Sequence, residues 1–137
     1  MKKIIKNITI LRPGGNDTAL VPGLNWTKIE MKLINDRIMN LYKNVEQVGF
    51  IDLKKPELQM AGGEFCGNAT RSAAYLALKG KLGEINIKVS GVNKTLKAGI
   101  DLQGNTWSQM PIYEDSKLIK QNFPSNSLKK KENSLIS

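Results

Sequence analysis

The sequence predicts an α+β fold in which a mostly antiparallel sheet wraps around a central helix and a second helix lies outside. Three observations support this prediction. Short runs of apolar or alternating residues recur along the chain, as β-strands require. A segment with helix-start residues and apolar positions at helical spacing follows the first pair of runs. An alanine-rich segment in the middle of the chain has apolar residues on more than one face, which indicates a buried helix.

The beginning of the chain is predicted to form a hairpin. Apolar and polar residues alternate over residues 3–11, which predicts the first strand. Proline, glycine, asparagine and aspartate, which favour turns, occupy positions 13–17. Residues 18–21 then predict the returning strand, which ends at a Pro-Gly pair.

An amphipathic helix is predicted over residues 25–43. Asn25 is a favourable N-cap, and Thr27 with Glu30 forms a capping-box pattern nearby. Apolar residues recur at helical spacing along this segment and predict its buried face. They are Trp26, Ile29, Leu33, Ile34, Ile38 and Leu41.

The central segment is predicted to hold two strands followed by the buried helix. Strand-like runs cover residues 48–53 and 57–61. The alanine-rich helix spans Cys66 to Lys79, and Gly80 stands where a C-terminal cap is expected. The apolar residues on its several faces are Ala69, Ala73, Ala74, Leu76, Ala77 and Leu78.

The last predicted strands complete one domain. Residues 84–90, 95–102 and 106–113 have strand patterns. Residues 114–137 carry little apolar pattern and include a lysine run, so we predict a weakly ordered tail or the start of a linker there. In this prediction the domain spans residues 1–113.

Composition restricts the class of protein and its chemistry. A length of 137 residues and a hydrophobic fraction of 40% suit one domain with a core. The chain has no apolar run of membrane-spanning length and no signal-peptide pattern, so we expect a cytoplasmic protein without a membrane partner. The single cysteine cannot form an internal disulfide, and the absence of histidine excludes Ser-His and Cys-His catalysis. Only carboxylates and one thiol remain as metal ligands, and we predict no metal site.

The formal net charge of +9 requires nucleic-acid binding to be considered. Residues 1–113 carry 16 Lys+Arg against 9 Asp+Glu, and the remaining 24 residues carry 5 against 3. The lysines are interspersed with acidic residues instead of forming one basic patch. We therefore interpret the charge as a source of solubility with some steering of anionic ligands, and expect no nucleic-acid partner.

The stretch most informative about chemistry runs from Gly62 to Thr70, where Cys66 directly precedes the alanine-rich helix. A helix N-terminus stabilises negative charge and so favours the thiolate of a cysteine placed there. Its N–H groups also bind a carboxylate or an enolate oxygen. These residues alone leave two interpretations open: a reactive thiol at a helix start, or a small buried hydrophobic residue beside an ordinary glycine turn.

The sequence Gly-Glu-Phe-Cys-Gly-Asn-Ala-Thr at residues 63–70 resembles the cysteine motif of the diaminopimelate epimerase superfamily, which includes proline racemases and phenazine-biosynthesis isomerases. The resemblance is fullest to histidine racemases that open opine-type metallophore pathways. It covers residues 4–113 and implies one lobe of a diaminopimelate epimerase-like fold, the N-terminal lobe. Other motifs resemble landmarks of the same lobe in the same order; they are Gly15-Asn16-Asp17, Glu46-Gln47-Val48-Gly49-Phe50, Val89-Ser90-Gly91 and Gln109-Met110-Pro111.

The resemblance implies a cofactor-independent racemase or epimerase that inverts an amino-acid α-carbon with two cysteines on opposite faces. No pyridoxal phosphate or other cofactor is implied. Cys66 would be one acid/base group, and a second lobe would supply the other cysteine. Without the resemblance, an asparagine at 16 is an ordinary turn residue and a glutamine at 47 a strand-edge residue. The residues implied to bind the amino-acid substrate are Asn16 and Gln47 in the pocket, and Gly67, Asn68 and Ala69 at the α-carboxylate.

Two departures from the family pattern bear on function. Met60 stands where the epimerases have an asparagine that contacts the distal end of diaminopimelate, which favours histidine or a related amino acid as the substrate. The chain also covers one lobe and holds one cysteine. Three hypotheses follow: half of a split or truncated racemase that is inactive alone, a homodimer that brings two Cys66 thiols together, or a non-catalytic ligand-binding or interaction module that keeps the fold.

Overall fold

The predicted strands form one sheet, and two helices pack against its two faces. The structure is a computed structural model that describes residues 7–12 and 15–111. Within these residues the helices are α1 (Lys28–Leu41) and α2 (Gly67–Leu78). The strands in the same part of the chain are β1 (Thr9–Leu11), β2 (Asp17–Pro22), β3 (Val45–Asp52), β4 (Glu57–Met60), β5 (Gly83–Val89), β6 (Leu96–Ile100) and β7 (Thr106–Ser108).

The strands lie in the sheet in chain order, from β1 to β7. β2 and β3 are parallel, as are β4 and β5, whereas the other described neighbours are antiparallel. A helix connects each parallel pair, because parallel neighbours require a long crossover instead of a tight turn. The sheet curls around α2, which contacts β2 through β7. The predicted fold class is therefore confirmed, and the two parallel pairs make the sheet mixed.

Alternate residues of the central strands face opposite helices. Leu20 and Ile51 belong to the apolar cluster that surrounds α2. Val21 and Phe50, each one position away in sequence, belong to the cluster under α1. Because successive side chains of a strand point to opposite faces, the apolar runs of β2 and β3 supply both clusters.

The central helix is buried through small side chains. Ala69, Ala73 and Ala74 of α2 have no exposed surface, and they pack against residues of the curled sheet. Alanine favours a helix and leaves room for the backbone to approach the strands closely. The prediction that the alanine-rich segment is the central helix is confirmed.

The outer helix begins at a capping box. The Thr27 hydroxyl accepts a hydrogen bond from the Glu30 N–H at 3.0 Å, and the Glu30 carboxylate accepts one from the Thr27 N–H at 2.9 Å. Thr27 is therefore the N-cap, and the prediction that Asn25 caps this helix was wrong. Both residue types are good caps, but only Thr27 has a glutamate three residues further on to complete the box.

The buried face of α1 differs from the predicted one. Met31 and Ile38 are the buried residues of this helix. Position 29 lies nine residues before position 38, about two and a half turns, and so faces the opposite side of the helix. The predicted face therefore combined two separate stripes. Its exposed members are Ile29 at 73%, Leu33 at 63% and Leu41 at 63%.

α2 begins and ends within one residue of its predicted bounds. Cys66 is its N-cap, and Lys79 follows its last residue in a left-handed conformation with φ 54°. The N–H groups of Lys79 and Gly80 donate to the carbonyls of Leu76 and Tyr75 at 3.1 and 3.0 Å. These two bonds form a Schellman motif. Gly80 thus takes part in the cap, one place beyond the left-handed lysine.

β6 and β7 are shorter than their predicted runs. β6 stops two residues before its predicted end, because the Asp101 carboxylate accepts hydrogen bonds from the N–H groups of Gln103 and Asn105 at 3.0 and 2.9 Å. An aspartate that bonds the backbone in this way forms a turn and ends the strand. β7 ends at Ser108, before the Met-Pro pair at 110–111.

Some predictions fall outside the described residues. They concern the start of the first strand at 3–6, turn positions 13–14, the end of the last strand at 112–113 and the tail at 114–137. The domain end at residue 113 therefore stays a prediction. In the described part of the chain, no helix is both long and apolar enough to cross a membrane.

Candidate active site

Cys66 lies at the start of the central helix with a partly buried side chain. Its backbone is extended, and its carbonyl accepts hydrogen bonds from the N–H and the hydroxyl of Thr70 at 3.0 and 2.8 Å. Its Sγ accepts a hydrogen bond from the Ala69 N–H at 3.4 Å. The thiol is therefore held at the first turn of α2, where helical N–H groups stabilise negative charge.

Burial raises the pKa of the Cys66 thiol above its ordinary value. The N–H groups of Ala69 and Asn68 and the charge of Arg71 lower this pKa, whereas the charge of Glu64 raises it. The helix start thus favours the thiolate, as the sequence predicted, but desolvation outweighs it. In this structure the neutral thiol is the favoured form at neutral pH.

Arg71 is a charged residue of the site that sequence reasoning did not single out. Although it carries a guanidinium, it is only 7% exposed, and this group donates a hydrogen bond to the Asn68 side-chain carbonyl. A Cβ built on Gly67 would lie 3.7 Å from Arg71 Nη1. A positive charge therefore lies beside the first turn of α2. The available sequence signal was one arginine within an alanine-rich helix.

The chain reaches the cysteine through residues 61–66, which we call the Cys66 loop. The Ala61 N–H donates to the Val48 carbonyl at 3.2 Å, and the Gly63 N–H donates to the Met60 carbonyl at 2.9 Å. Gly63 has φ 81°, a left-handed conformation that favours glycine. The loop thus turns the chain from the end of β4 to the start of α2.

The strand register brings the predicted site residues to one end of the curled sheet. Asn16 directly precedes β2, and Gln47 pairs with Thr18 near the starts of the parallel strands β2 and β3. The Thr18 hydroxyl donates to Gln47 Oε1 at 3.1 Å, which orients that side chain. β4 runs antiparallel to β3, so the Cys66 loop leaves β4 beside the first half of β3. Asn16, Gln47 and Cys66 therefore share this end.

A cleft of about 370 Å³ opens at the same end. Residues 91–96 and 109–111 line it. β5 is parallel to β4, so the end of β5 that leads into the cleft also lies near the Cys66 loop. Sequence reasoning identified Val89-Ser90-Gly91 and Gln109-Met110-Pro111 as family landmarks, but it assigned no cleft to them.

The chemistry available at this end is that of a thiol beside hydrogen-bond donors. Gly67, Asn68 and Ala69 form the first turn of α2, whose N–H groups suit an anionic ligand such as a carboxylate. Among residues 7–12 and 15–111, no three histidine, cysteine, aspartate or glutamate side chains are grouped so that they could hold a metal ion. The arrangement can move a proton next to a bound carboxylate.

Comparison with known proteins gives a consistent family. Residues 7–132 match the family described as "Histidine racemase CntK N-terminal domain". A histidine racemase of Fusobacterium nucleatum subsp. nucleatum (strain ATCC 25586) is 39% identical over 102 residues, which cover 69% of this chain and 37% of the relative. A histidine racemase of Staphylococcus aureus (strain Mu50) is 28% identical over 109 residues, covering 73% of this chain and 40% of the relative. The chain thus spans well under half the length of these relatives.

A solved structure supports the fold independently. The crystal structure of a methylitaconate-delta-isomerase superposes with a TM-score of 0.51 and 12% sequence identity. The superposition covers 80% of this chain and 66% of that one. At this identity the likeness concerns the fold, and it agrees with the lobe predicted from the sequence.

Proposed function

Since the chain belongs to the family of histidine racemase N-terminal domains, we propose that it supplies one half of a racemase active site in which Cys66 is an acid/base group. The observation that carries the proposal is the position of the chain's single thiol. Cys66 caps the buried helix α2 at the sheet end where Asn16 and Gln47 also lie.

In the proposed reaction the substrate α-carbon exchanges its proton between two sulfur atoms on opposite faces. A thiolate from a second lobe takes the α-proton, and the electron pair of the C–H bond stays on carbon. The Cys66 S–H bond then breaks, its proton bonds to the carbanion, and its electron pair stays on sulfur. The raised pKa of Cys66 supports the protonated form that starts this direction. The opposite direction starts with Cys66 as the thiolate.

The carbanion requires stabilisation at the substrate carboxylate. We assign this task to the backbone N–H groups of Gly67, Asn68 and Ala69, because donors fixed at a helix start are preorganised for developing negative charge. Arg71 adds a positive charge beside the same turn. No cofactor takes part in this proposal.

We propose histidine or a related amino acid as the substrate, with Asn16 and Gln47 lining the pocket. The relatives at 39% and 28% identity are histidine racemases, which supports this choice. The burial of Met60 also supports histidine or a related amino acid over diaminopimelate. Its side chain is 1% exposed in the core around α2, so it cannot replace an asparagine that contacts the far end of diaminopimelate.

The reaction needs a second sulfur that this sequence does not contain. We propose that a second lobe provides it and that the 137-residue chain alone does not racemise amino acids. A homodimer with two Cys66 thiols is the alternative arrangement, and a non-catalytic module is the outcome if no proton exchange occurs. Sedimentation at micromolar concentration tests the homodimer, because a monomer there contradicts it.

The test is deuterium exchange into the α-position of a panel of L-amino acids. It is run with the chain alone and with the chain mixed with the separately expressed second lobe of the Fusobacterium nucleatum histidine racemase. We expect exchange into histidine in the mixture, and a loss of at least about a thousandfold in Cys66→Ser, because a hydroxyl is a far weaker acid than a thiol.

Ser108→Ala is the matched control, since this buried serine lies at the end of β7 and its hydroxyl donates to the neighbouring Gln109 carbonyl. It should retain exchange. If Cys66→Ser exchanges as fast as the unmodified chain, Cys66 is structural. If no amino acid exchanges in any combination, the racemase proposal is wrong.

A further inference from the structure

One hydroxyl connects the residue just before the Cys66 loop to a residue within the loop. The Met60 N–H, just before the loop, donates a hydrogen bond to Ser90 Oγ at 2.9 Å. The Ser90 hydroxyl in turn donates to the Glu64 carbonyl at 2.7 Å. Since a serine hydroxyl has one proton to donate, these bonds define its orientation. The segment between Met60 and Glu64 is therefore closed by a side chain from another strand end.

Ser90 is itself held firmly. Its N–H donates to the Leu58 carbonyl at 3.0 Å. This bond continues the parallel pairing of β4 and β5, in which Leu58 is opposite Val89. The hydroxyl thus projects from backbone that is fixed to the same strand that leads into the loop, and a displacement of Glu64 must break its bond to this hydroxyl.

The next residue contacts the loop through its backbone. Gly91 has φ 82°, and a Cβ built on it would lie 2.6 Å from the Phe65 backbone nitrogen and 3.0 Å from the Glu64 backbone carbon. Only glycine fits both this conformation and this close approach. Gly91 therefore packs directly against the residue that precedes Cys66.

We propose that Ser90 and Gly91 are positioning residues that hold the Cys66 loop and thereby set where the thiol lies at the start of α2. Neither residue contacts the sulfur in this assignment; they act through residues 60–65. The inference rests on the proposed function of Cys66. Proton transfer to a carbon depends on the donor position to within about 1 Å, and such a misplacement can cost about a hundredfold in rate.

A purely stabilising role for the same bonds makes a different prediction. Loss of the two hydrogen bonds of the Ser90 hydroxyl would then lower the unfolding temperature and leave the folded thiol unchanged. A positioning role also changes the thiol within the folded protein. Because burial raises the pKa of Cys66, a released loop exposes the sulfur, lowers its pKa and increases its reactivity with a soluble reagent.

The experiment measures alkylation of the single cysteine by iodoacetamide across a pH range in the full chain, with thermal unfolding followed in parallel. We expect Ser90→Ala to be alkylated about tenfold faster at neutral pH, with its pH midpoint moved down, while its unfolding remains cooperative. Ser90→Thr keeps the hydroxyl and should remain within about twofold of the unmodified chain. Ser108→Ala should also remain within about twofold, because this buried serine lies outside the Cys66 loop.

Gly91→Ala provides a second, independent variant if Ser90→Ala does not fold. It keeps the Ser90 hydroxyl and displaces the Phe65 backbone, so it should also increase alkylation about tenfold. Ser90→Ala and Gly91→Ala rates within twofold of the unmodified rate would overturn the proposal. Equal increases in Ser90→Ala and Ser108→Ala would overturn it too, since the effect would then be general destabilisation.

Deuterium exchange into histidine, measured in the mixture of the two lobes, distinguishes the positioning role of Ser90 from the proposed function of Cys66. We expect Ser90→Ala to lower the exchange rate about tenfold or more, and Ser90→Thr to restore it. Undiminished exchange in Cys66→Ser defeats the function of Cys66, whatever Ser90 does. Undiminished exchange in Ser90→Ala, with none in Cys66→Ser, defeats the positioning role alone.

Discussion

The two helices are anchored in different ways. α1 closes its own first turn with the reciprocal Thr27 and Glu30 bonds, and it rests on the sheet through one narrow face. α2 is surrounded by the curled sheet, and its N-cap is a sulfur that accepts from the Ala69 N–H at 3.4 Å. Sulfur is a weak acceptor, so this cap satisfies the first turn less well than an oxygen would.

The difference indicates what each helix start is for. α1 has few buried residues, and local capping compensates for its limited packing. α2 gains its stability from burial along several faces, so its first turn need not be closed by a strong cap. Donors that are only weakly used at the start of α2 can bind a substrate carboxylate, whereas at the start of α1 the Thr27 and Glu30 N–H groups already donate to side-chain oxygens of the same turn.

The largest expected effect concerns the burial of α2. Ala73→Leu adds a bulky side chain where the alanine has no exposed surface, and we expect it to lower the free energy of unfolding by about 3 kcal/mol. Ile29→Ala on α1, where the isoleucine is 73% exposed, should change it by less than about 0.5 kcal/mol. Urea denaturation measures both. Similar losses in the two variants would mean that the helices are not packed as differently as the structure indicates.

The same contrast explains how much of the molecule could be predicted from the sequence. The bounds of α2 were predicted to within one residue, because Cys66 at its start and Gly80 at its end are local signals. The exposed side of α1 was not predicted. The path of the crossover between β2 and β3 determines which apolar stripe of the helix packs on the sheet. Local pattern contains no information about that path.

The same distinction between local signals and distant contacts applies to the candidate site. Cys66 and the first turn of α2 could be found from adjacent residues and the family resemblance. Ser90 could not be linked to the Cys66 loop, because its partners lie 30 and 26 positions away in sequence. The raised pKa of Cys66 also could not be predicted from the sequence, because it depends on burial of the thiol by the surrounding strands.

The capping box of α1 gives the next effect. Thr27→Ala removes the hydroxyl that accepts from the Glu30 N–H, and we expect the unfolding free energy to fall by about 1 kcal/mol. Thr27→Ser retains an oxygen at this position and is the matched control, with a change of a few tenths of a kcal/mol. Thermal and urea unfolding measure the pair. Equal stability of Thr27→Ala and the unmodified chain would show that packing of α1, not its cap, determines its start.

The cap of α2 should respond in the opposite direction. Serine is a better N-cap than cysteine because oxygen is the stronger acceptor, so Cys66→Ser should raise the unfolding free energy by about 0.5 kcal/mol. Proton exchange should be lost in the same variant. Urea denaturation at neutral pH measures the first effect. A loss of stability instead would show that the thiol contributes more by packing than it costs as a cap.

Alkaline pH sharpens this comparison of the two caps. The pKa of Cys66 is raised in the folded chain, so its contribution to stability is fully present below the unfolded pKa and is lost as pH rises through the folded pKa. Cys66→Ser lacks this titration. The stability difference between Cys66→Ser and the unmodified chain should therefore widen above about pH 8.5. Parallel stability curves over that range would contradict the raised pKa.

The smallest expected effect tests the electrostatics of the α2 start alone. The charge of Glu64 raises the pKa of Cys66, so Glu64→Gln should lower this pKa, and only slightly, because an exposed charge is screened by water. The backbone carbonyl that accepts from Ser90 is unchanged in this variant.

Glu84→Gln on β5 is the control, since it removes an equal charge at the start of that strand, away from the Cys66 loop. The pH dependence of alkylation by iodoacetamide reports Cys66 directly, because the chain has one cysteine. A downward shift in Glu64→Gln that is absent from Glu84→Gln would place the carboxylate beside the sulfur, whereas equal midpoints would leave burial and the helix N–H groups as the determinants of thiol ionisation at the α2 cap.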